Sequence, residues 1–343
     1  MTARTFSGTR SSFDQTYVIA EMACSHEGDP GLARKIIDGA GKAGADAVQF
    51  QIWDHREIVV PHHPDSPMMR KLQLSDDDWL GLRDYVRERY PGMHIVACVY
   101  EPKSVRFADG FGADAFKLHS ADLSNPFMLK CLAETGKRID LSIGGSTLEE
   151  IEKAIETIRI GSDPTIWLMY GMQLFPTVPE VLNLRYMTKL KDLFELPVGY
   201  QDHTAGDAPG AFHVPAAAMG MGVEIVEKHI THDRSFKGVD HEAALNPSEF
   251  VSFVKMVRDI DAAMGLSVPH PFTEAEERYR NYSKKSIVCA RDIHVGTILS
   301  SDDLRFMRSP ELGLQPDQLE AVVGRTVLRS LVAHEIVSPK DIR

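Results

Sequence analysis

The fold is decided by two stretches that share one pattern, Gly199-Tyr-Gln-Asp-His-Thr204 and Val226-Glu-Lys-His-Ile-Thr231. Each stretch begins with the last residues of a short apolar segment, which is typical of a buried strand. Polar residues follow, and among them His203 and His229 stand at matching positions. Residues that end parallel strands lie at the edge of the sheet where α/β proteins carry out chemistry. We therefore expect the two histidines to share one rim of a parallel sheet.

These two histidines are candidate metal ligands. Neighbouring strand ends can hold two neutral imidazoles close together, and two protein ligands leave positions open, as in catalytic metal sites. Such an ion polarises a carbonyl group or activates water. In the alternative interpretation, His203 and His229 are ordinary polar residues that end their strands. Each has a carboxylate nearby in sequence, Asp202 and Glu227, and the residues alone leave both interpretations open.

Strand-like and helix-like segments alternate along most of the chain. Short apolar segments predict strands at 17–20, 45–51, 94–99, 113–118, 139–142, 165–170, 196–200 and 223–228. The predicted helices are 30–43, 76–88, 102–111, 126–134, 147–159, 178–190, 209–219 and 247–264. Eight such units in about 250 residues match a (β/α)8 TIM barrel. A doubly wound sheet is the main rival, but it usually has about five or six strands, and no GxGxxG motif follows the first strand.

A change of composition after the last predicted helix indicates a second domain. The predicted division is a barrel domain 1–265, a linker 266–284 and a small C-terminal domain 285–343. Residues 292–304 match 330–342 in apolar placement, which predicts a mostly β unit with pseudo-twofold symmetry. A unit of about 60 residues is marginal as a free-standing core, so we expect it to dock on another surface. We expect the linker charges, Asp302 and Asp303 to be solvated.

The composition is that of an ordinary soluble α/β protein. The chain has 343 residues, a net charge of −11 and 43% hydrophobic residues. No apolar run reaches the roughly 18 residues of a membrane span, and residues 1–12 lack the apolar core of a signal peptide, so we expect a cytoplasmic protein without a membrane partner. The acidic balance argues against nucleic-acid binding. Four cysteines without CxxC spacing indicate neither a disulfide framework nor a zinc knuckle.

In a barrel, the polar residues that follow the strands converge on one face. Lys117 ends a strand of small and apolar residues, so its ammonium is expected inside the barrel mouth, where it pairs with an anion or forms a Schiff base; the alternative is a surface lysine. Glu21 either acts as an acid, a base or a water-orienting group, or forms a structural salt bridge. Cys24 and Cys98 are interpreted as buried small residues. The other candidates are Ser25, His26, Glu27, Gln49, Gln51, Ser120, Ser142, Gln173, Asp202, Asp240 and His241.

Seven segments, in order along the chain, resemble motifs of the sialic acid synthase family. They are Ile19-Ala-Glu-Met-Ala-Cys-Ser-His-Glu-Gly-Asp29 (similar to IAEIGxNHxGD), Gly44-Ala-Asp-Ala-Val-Gln-Phe-Gln51 (GADAVKFQ), Phe116-Lys-Leu-His-Ser120 (YKIGS), Leu141-Ser-Ile-Gly144 (LSTG), Gly199-Tyr-Gln-Asp-His-Thr204 (GYSDHT), Glu227-Lys-His-Ile-Thr231 (EKHFT) and Gly238-Val-Asp-His-Glu-Ala-Ala-Leu-Asn-Pro247 (GPDHxxSLxP). The segment from Lys285 resembles the SAF, or antifreeze-like, domain that ends these synthases.

The resemblance implies a condensation of phosphoenolpyruvate with an amino sugar such as N-acetylmannosamine, giving a nonulosonic acid and phosphate for surface polysaccharide biosynthesis. It implies a metal, Mn²⁺ first and Mg²⁺ or Co²⁺ as alternatives, on His203 and His229. It implies acidic groups at the reacting centre, a domain-swapped homodimer, and an arginine from the partner's SAF domain. The implied residues are Glu21, Asp240 and Lys117 as catalytic groups, and Gln49, Gln51, Ser120, Ser142, Gln173, Gln201, Asp202 and Arg308 in substrate binding.

The sequence departs from the family pattern at several of these positions. Gln49 stands where the family has a lysine, which removes one positive charge from the phosphoenolpyruvate site. Val99 replaces a threonine, Gln201 replaces a serine, and Gln173 and Phe175 lie in an altered segment. The chain therefore resembles a divergent branch of the spore-coat polysaccharide biosynthesis protein E kind. Two alternatives remain: a pyruvate aldolase on the same barrel, and a non-catalytic sugar-binding homologue.

Overall fold

The computed structural model describes residues 15–265 and 269–343, which form two compact units. The first unit is a closed barrel of eight parallel strands in sequence order, with β8 paired to β1. The strands are β1 Tyr17–Glu21, β2 Ala47–Ile52, β3 His94–Val99, β4 Ala115–Leu118, β5 Arg138–Ser142, β6 Ile166–Tyr170, β7 Val198–Asp202 and β8 Ile225–His229. This closed barrel confirms the predicted (β/α)8 architecture.

Helices fill the connections between the strands. They are α1 Pro30–Ala43, α2 His55–Ile58, α3 Ser66–Leu72, α4 Asp76–Arg89, α5 Pro102–Gly110, α6 Pro126–Glu134, α7 Leu148–Ile158, α8 Arg185–Phe194, α9 Gly210–Gly220, α10 Pro247–Met264 and, in the second unit, α11 Glu274–Ser283. The helix boundaries follow local capping chemistry. The Asp29 side chain accepts the Gly31 N–H at the start of α1, and Gly44 ends that helix at φ 80°, a conformation that favours glycine.

Three connections differ from the sequence prediction. The helix predicted at 178–190 is a 3-10 turn, Pro179–Val181, followed by α8 from Arg185 to Phe194. The two short helices α2 and α3 were not predicted, because neither has room for a periodic apolar stripe. The predicted linker contains α11, whose capping box joins Thr273 and Glu276 and is visible in the sequence as T-x-x-E.

The barrel interior contains an apolar cluster and, toward the carboxyl ends of the strands, a set of polar groups. Seven inward residues, one or two from each contributing strand, form the apolar layer: Ile19, Ala47, Val96, Ala115, Trp167, Met169 and Ile225. Since side chains alternate along a strand, the next inward residues toward the carboxyl ends are two positions later. These include Glu21, Lys117 and Glu227, and all three are buried. The apolar layer lies beneath them, together with the ion pair between Arg138 and the fully buried Asp140 of β5, in which the Arg138 guanidinium also covers the Trp167 ring.

The second unit contains the predicted internal repeat. Strands β9 Lys285–Cys289 and β10 Leu304–Arg308 pair antiparallel, and Ile293 bridges to Leu331, its counterpart in the other copy. Pairing between equivalent residues is what a pseudo-twofold axis produces. The prediction that Asp303 is solvated was wrong: it is 4% exposed and binds Arg291, just as Asp341 of the second copy binds Arg329.

Short 3-10 helices also occur in both units, at Ser120–Asp122, Arg234–Phe236, His241–Ala243, Ser301–Asp303, Pro316–Ala321 and Pro339–Asp341. Among the described residues, no helix is long and apolar enough to cross a membrane. The expectation about a signal peptide concerns residues 1–12, which lie outside the described residues.

Candidate functional site

A cavity of about 170 Å³ opens at the carboxyl ends of the strands. Nine of the residues predicted for the site line it: Glu21, Gln51, Lys117, Ser142, Gln173, Gln201, His203, His229 and Asp240. The barrel explains their convergence, because these residues come from seven different strands or the loops after them. Gly171 allows the close approach of β6 and β7 at the cavity wall, since a Cβ there would collide with the backbone of Gln201.

The two histidines lie side by side on the cavity wall. The ring centroids of His203 and His229 are 5.2 Å apart, and the ring planes are inclined by 70°. His203 Nδ1 lies 2.6 Å from the Met172 carbonyl oxygen, so this nitrogen carries the proton and Nε2 keeps its lone pair. Burial lowers the pKa of His203 to about 4 and that of His229 well below its ordinary value. Both rings are therefore neutral near pH 7.

This pair fits a divalent metal in its donor chemistry. His229 Nδ1 is buried without a hydrogen-bond partner in the described part of the chain, and the neutral rings offer lone pairs. No group of three or more His, Cys, Asp or Glu side chains in residues 15–265 or 269–343 has an arrangement suited to a metal. The protein would thus supply two ligands and leave the remaining positions to substrate and water, as an open site requires.

Lys117 lines the same cavity as one half of a buried ion pair. Its Nζ lies 2.5 Å from Glu227 Oε1, and both side chains are at most 6% exposed. Burial alone lowers the pKa of Lys117, but the attraction of Glu227 and then Glu21 outweighs it and raises the pKa. The residue is therefore a fixed ammonium inside the mouth, and the surface-lysine alternative is wrong.

Glu21 is a buried carboxyl group with two unlike oxygens. Its Oε1 accepts the Ala23 backbone N–H at 2.5 Å and the Gln51 side-chain amide at 3.3 Å. Its Oε2 is buried without a partner among the described residues. Burial, followed by repulsion from Glu227, raises the pKa of Glu21 well above its ordinary value. Such a group can hold a proton near neutral pH and exchange it with a ligand.

Asp240 is directed to the cavity by an unusual loop conformation. Its φ is 65°, in the left-handed region, and burial raises the pKa of its carboxyl group. The loop is held by Glu27, which accepts the Val239 N–H at 3.1 Å and lies near His241. A Cβ at Gly238 would displace the Glu27 carboxylate, the group that accepts from the Val239 N–H.

Amide side chains surround the Ser142 hydroxyl. Gln201 and Gln173 donate to Ser142 Oγ at 2.9 and 3.2 Å. With its oxygen accepting both amides, the hydroxyl proton of Ser142 can be directed to a ligand in the cavity. Gln201 Oε1 is buried and has no partner among the described residues, so it is available as an acceptor.

Four of the site residues that the family resemblance implies do not line the cavity, and neither do the further candidates Ser25, His26, Glu27 and His241. Asp202 points away from the barrel interior, where it accepts from Lys228 at 2.6 Å, because side chains alternate and its neighbours Gln201 and His203 point inward. Gln49 lies one inward position deeper than Gln51, fully buried. The other two are Ser120, half-buried on a 3-10 helix, and Arg308, exposed on β10 of the second unit. Their proposed roles stay predictions.

Four lining residues were not assigned to the site from the sequence. They are Cys98, Tyr100, His119 and Phe175. Tyr100 and His119 directly follow β3 and β4, so the rule that residues after barrel strands reach the active face would have found them. Phe175 lies over His203, with ring centroids 4.1 Å apart, in the loop after β6 that also contains Gln173.

Comparison with known proteins gives the family of the chain. Residues 36–268 match the model of the NeuB family, and residues 284–343 match the SAF domain. The chain belongs to the NeuB family. The N,N'-diacetyllegionaminic acid synthase of Campylobacter jejuni is 30% identical over 94% of this chain and 99% of that protein. This finding confirms the resemblance seen in the sequence motifs.

Solved structures agree with this assignment. The N-acetylneuraminic acid synthetase of Leptospira borgpetersenii serovar Hardjo-bovis is 27% identical, with a TM-score of 0.70 over 78% of this chain and 91% of that chain. The spore coat polysaccharide biosynthesis protein spsE of Bacillus subtilis is also 27% identical, with a TM-score of 0.65 over 98% of this chain and 96% of that chain. The relatives are thus synthases of sialic-acid-type sugars and a polysaccharide biosynthesis protein.

Proposed function

We propose that this NeuB-family protein joins phosphoenolpyruvate to the aldehyde form of an N-acylated amino sugar. A carbon–carbon bond forms between C3 of phosphoenolpyruvate and the aldehyde carbon, water adds at C2, and inorganic phosphate leaves. The observation that carries this proposal is the pair of neutral histidines in the same cavity as the Lys117 ammonium and the Glu21 carboxyl group. The cavity thus combines ligands for a metal, a site for an anion and a group for proton transfer.

Each side chain has a defined task in this proposal. The ammonium of Lys117 attracts the phosphoenolpyruvate anion. The Ser142 hydroxyl group donates a hydrogen bond to one of the oxygens of phosphoenolpyruvate. Glu21 exchanges a proton with the reacting groups, because its raised pKa makes both protonation states accessible. His203 and His229 would hold a divalent ion, Mn²⁺ first and Mg²⁺ or Co²⁺ as alternatives, that polarises the sugar aldehyde as a Lewis acid.

The Lys117 ion pair argues against the Schiff-base form of the aldolase alternative. A Schiff-base lysine must lose its proton to attack a carbonyl group, so enzymes lower its pKa. Here Glu227 lies 2.5 Å from the ammonium, and the carboxylates raise the pKa of Lys117 instead. We therefore do not expect borohydride to trap a pyruvate adduct on Lys117.

The proposed function is tested by phosphate release from phosphoenolpyruvate with Mn²⁺ and a panel of mono- and di-N-acetylated sugars. We expect release that requires one sugar, that stops on chelation and that is lost in His203→Ala. His213→Ala is the matched control, because His213 lies exposed on α9, away from the cavity. Sugar binding without release in the wild-type protein would refute the proposal and favour the non-catalytic alternative.

A further inference from the structure

The ring of Tyr100 is fixed at the cavity wall by aromatic neighbours on two sides. His119 stacks on it with ring centroids 5.5 Å apart and planes inclined by 30°. Trp53 meets it edge-on at 5.8 Å. His119 stands where the resembling YKIGS motif has a glycine, so this stacking partner is a feature of the present chain. The position of the Tyr100 ring therefore does not depend on its hydroxyl group.

The Tyr100 hydroxyl fixes the orientation of the Gln51 amide. The hydroxyl oxygen lies 3.1 Å from Gln51 Oε1, an atom that can only accept, so the phenol donates. Burial raises the pKa of Tyr100 well above its ordinary value, which keeps this proton in place. Because the Gln51 amide oxygen accepts from Tyr100, the NH₂ group of the same amide is directed away from Tyr100.

The oriented amide then acts on the candidate acid. Gln51 Nε2 donates to Glu21 Oε1 at 3.3 Å, next to the Ala23 N–H that binds the same oxygen. With two donors on Oε1, this oxygen is the carbonyl oxygen of the protonated carboxyl group, and the proton is directed to Oε2. Oε2 has no partner among the described residues and belongs to a cavity-lining side chain, so it is the carboxyl oxygen that keeps its hydrogen-bonding capacity for a ligand.

We propose that Tyr100 is a positioning residue for the reaction, which acts through Gln51 to hold Glu21 with Oε1 engaged and Oε2 facing the substrate. This inference rests on the proposed function for the identity of the reaction. It assigns no chemical step to Tyr100, and it explains why an aromatic residue with a hydroxyl group lies at this wall of the cavity.

The test is a double-mutant cycle between Tyr100→Phe and Gln51→Met, followed by phosphate release. Tyr100→Phe keeps the stacked ring and removes the hydroxyl group, so kcat should fall about fivefold, as expected for one neutral hydrogen bond, with both KM values nearly unchanged. In the Gln51→Met background, Tyr100→Phe should have no further effect. Tyr90→Phe is the matched control, because its hydroxyl binds Asp38 outside the cavity, and it should leave kcat unchanged.

A second readout does not depend on turnover. The infrared carbonyl band of the Glu21 carboxyl group, identified by its loss in Glu21→Gln, should move to higher frequency in Tyr100→Phe, because a donor to Oε1 is loosened. Additive effects in the cycle, or a Tyr100→Phe enzyme that matches Tyr90→Phe, would overturn the inference. If the wild-type protein releases no phosphate, the proposed function fails, and an unshifted infrared band would then overturn the positioning role as well.

Discussion

Restoring a lysine at position 49 should strengthen binding of the anionic donor. Gln49 is fully buried on β2, directly across from Glu21 of β1, and neither atom of its amide has a hydrogen-bond partner within the described residues. A lysine side chain is one bond longer than glutamine, so its ammonium can reach farther toward the cavity. Glu21 on the neighbouring strand provides a carboxyl group that stabilises this charge.

The size of the effect follows from the charges of the cavity. Among the described residues, its lining carries three carboxyl groups, Glu21, Glu227 and Asp240, against the single ammonium of Lys117. One charge-assisted hydrogen bond contributes about 1.5–3 kcal/mol, which corresponds to roughly a 10- to 150-fold change in affinity. Because Glu21 competes with the donor for the new ammonium, we expect the lower end, a KM for phosphoenolpyruvate about tenfold lower in Gln49→Lys.

The assay is the initial rate of phosphate release against phosphoenolpyruvate concentration, with metal and acceptor sugar saturating. Gln49→Met is the control, because it has a similar volume without the charge, and it should not lower the KM. A melting temperature close to that of the wild-type protein would show that each variant is folded. An unchanged or raised KM in a folded Gln49→Lys enzyme would refute the argument that the donor site is short of positive charge.

Two further predictions concern stability. Lys228→Met should lower the free energy of unfolding by about 3–5 kcal/mol in a urea titration, because it leaves the buried Asp202 carboxylate without its ammonium, whereas Lys255→Met on the exposed face of α10 should have little effect. In the second unit, hydrogen bonds from Ser300 lower the pKa of Asp303. Burial raises the pKa of Asp341, but hydrogen bonds from Arg329 and Ser338 outweigh it and lower this pKa. The contribution of these two carboxylates to the stability of the folded second unit is present above the unfolded pKa of about 3.9 and is lost as the pH falls through the lower folded pKa values. Amide hydrogen exchange in residues 269–343 should therefore accelerate below about pH 4. Exchange that is independent of pH after correction for the intrinsic rate would contradict this prediction.

Much of the barrel was predictable because its signal is local. Apolar segments such as Tyr17–Glu21 and Ile166–Tyr170 are buried along most of their length, and their spacing gives the count of eight strands. The position of Lys117 inside the mouth followed from the same pattern. The segment after Val178 was mispredicted because its apolar residues do not form one continuous helix, and Pro179 begins only a single 3-10 turn.

The unpredicted parts depend on contacts between distant residues. Asp202 was grouped with its neighbour His203, but alternation turns its side chain toward Lys228, which only the strand register decides. Asp303 was assigned to solvent because nothing in the local sequence shows that Arg291 lies across from it. The place of Tyr100 directly after β3 was a local signal, but its hydrogen bond to Gln51, 49 positions away in the chain, was not.

Under the proposed function, the protonation states in the cavity account for the way in which an acidic protein would bind an anionic donor. Three lining carboxylates, if all ionised, would repel phosphoenolpyruvate. The raised pKa of Glu21 removes part of that repulsion, because its protonated form is neutral. Glu227 holds the charge on Lys117, and burial keeps His203 and His229 neutral and able to bind a dication. Each shift therefore either removes negative charge or retains positive charge, and with Gln49 in place of the lysine of the family motif, the proposed donor site relies mainly on the ammonium of Lys117.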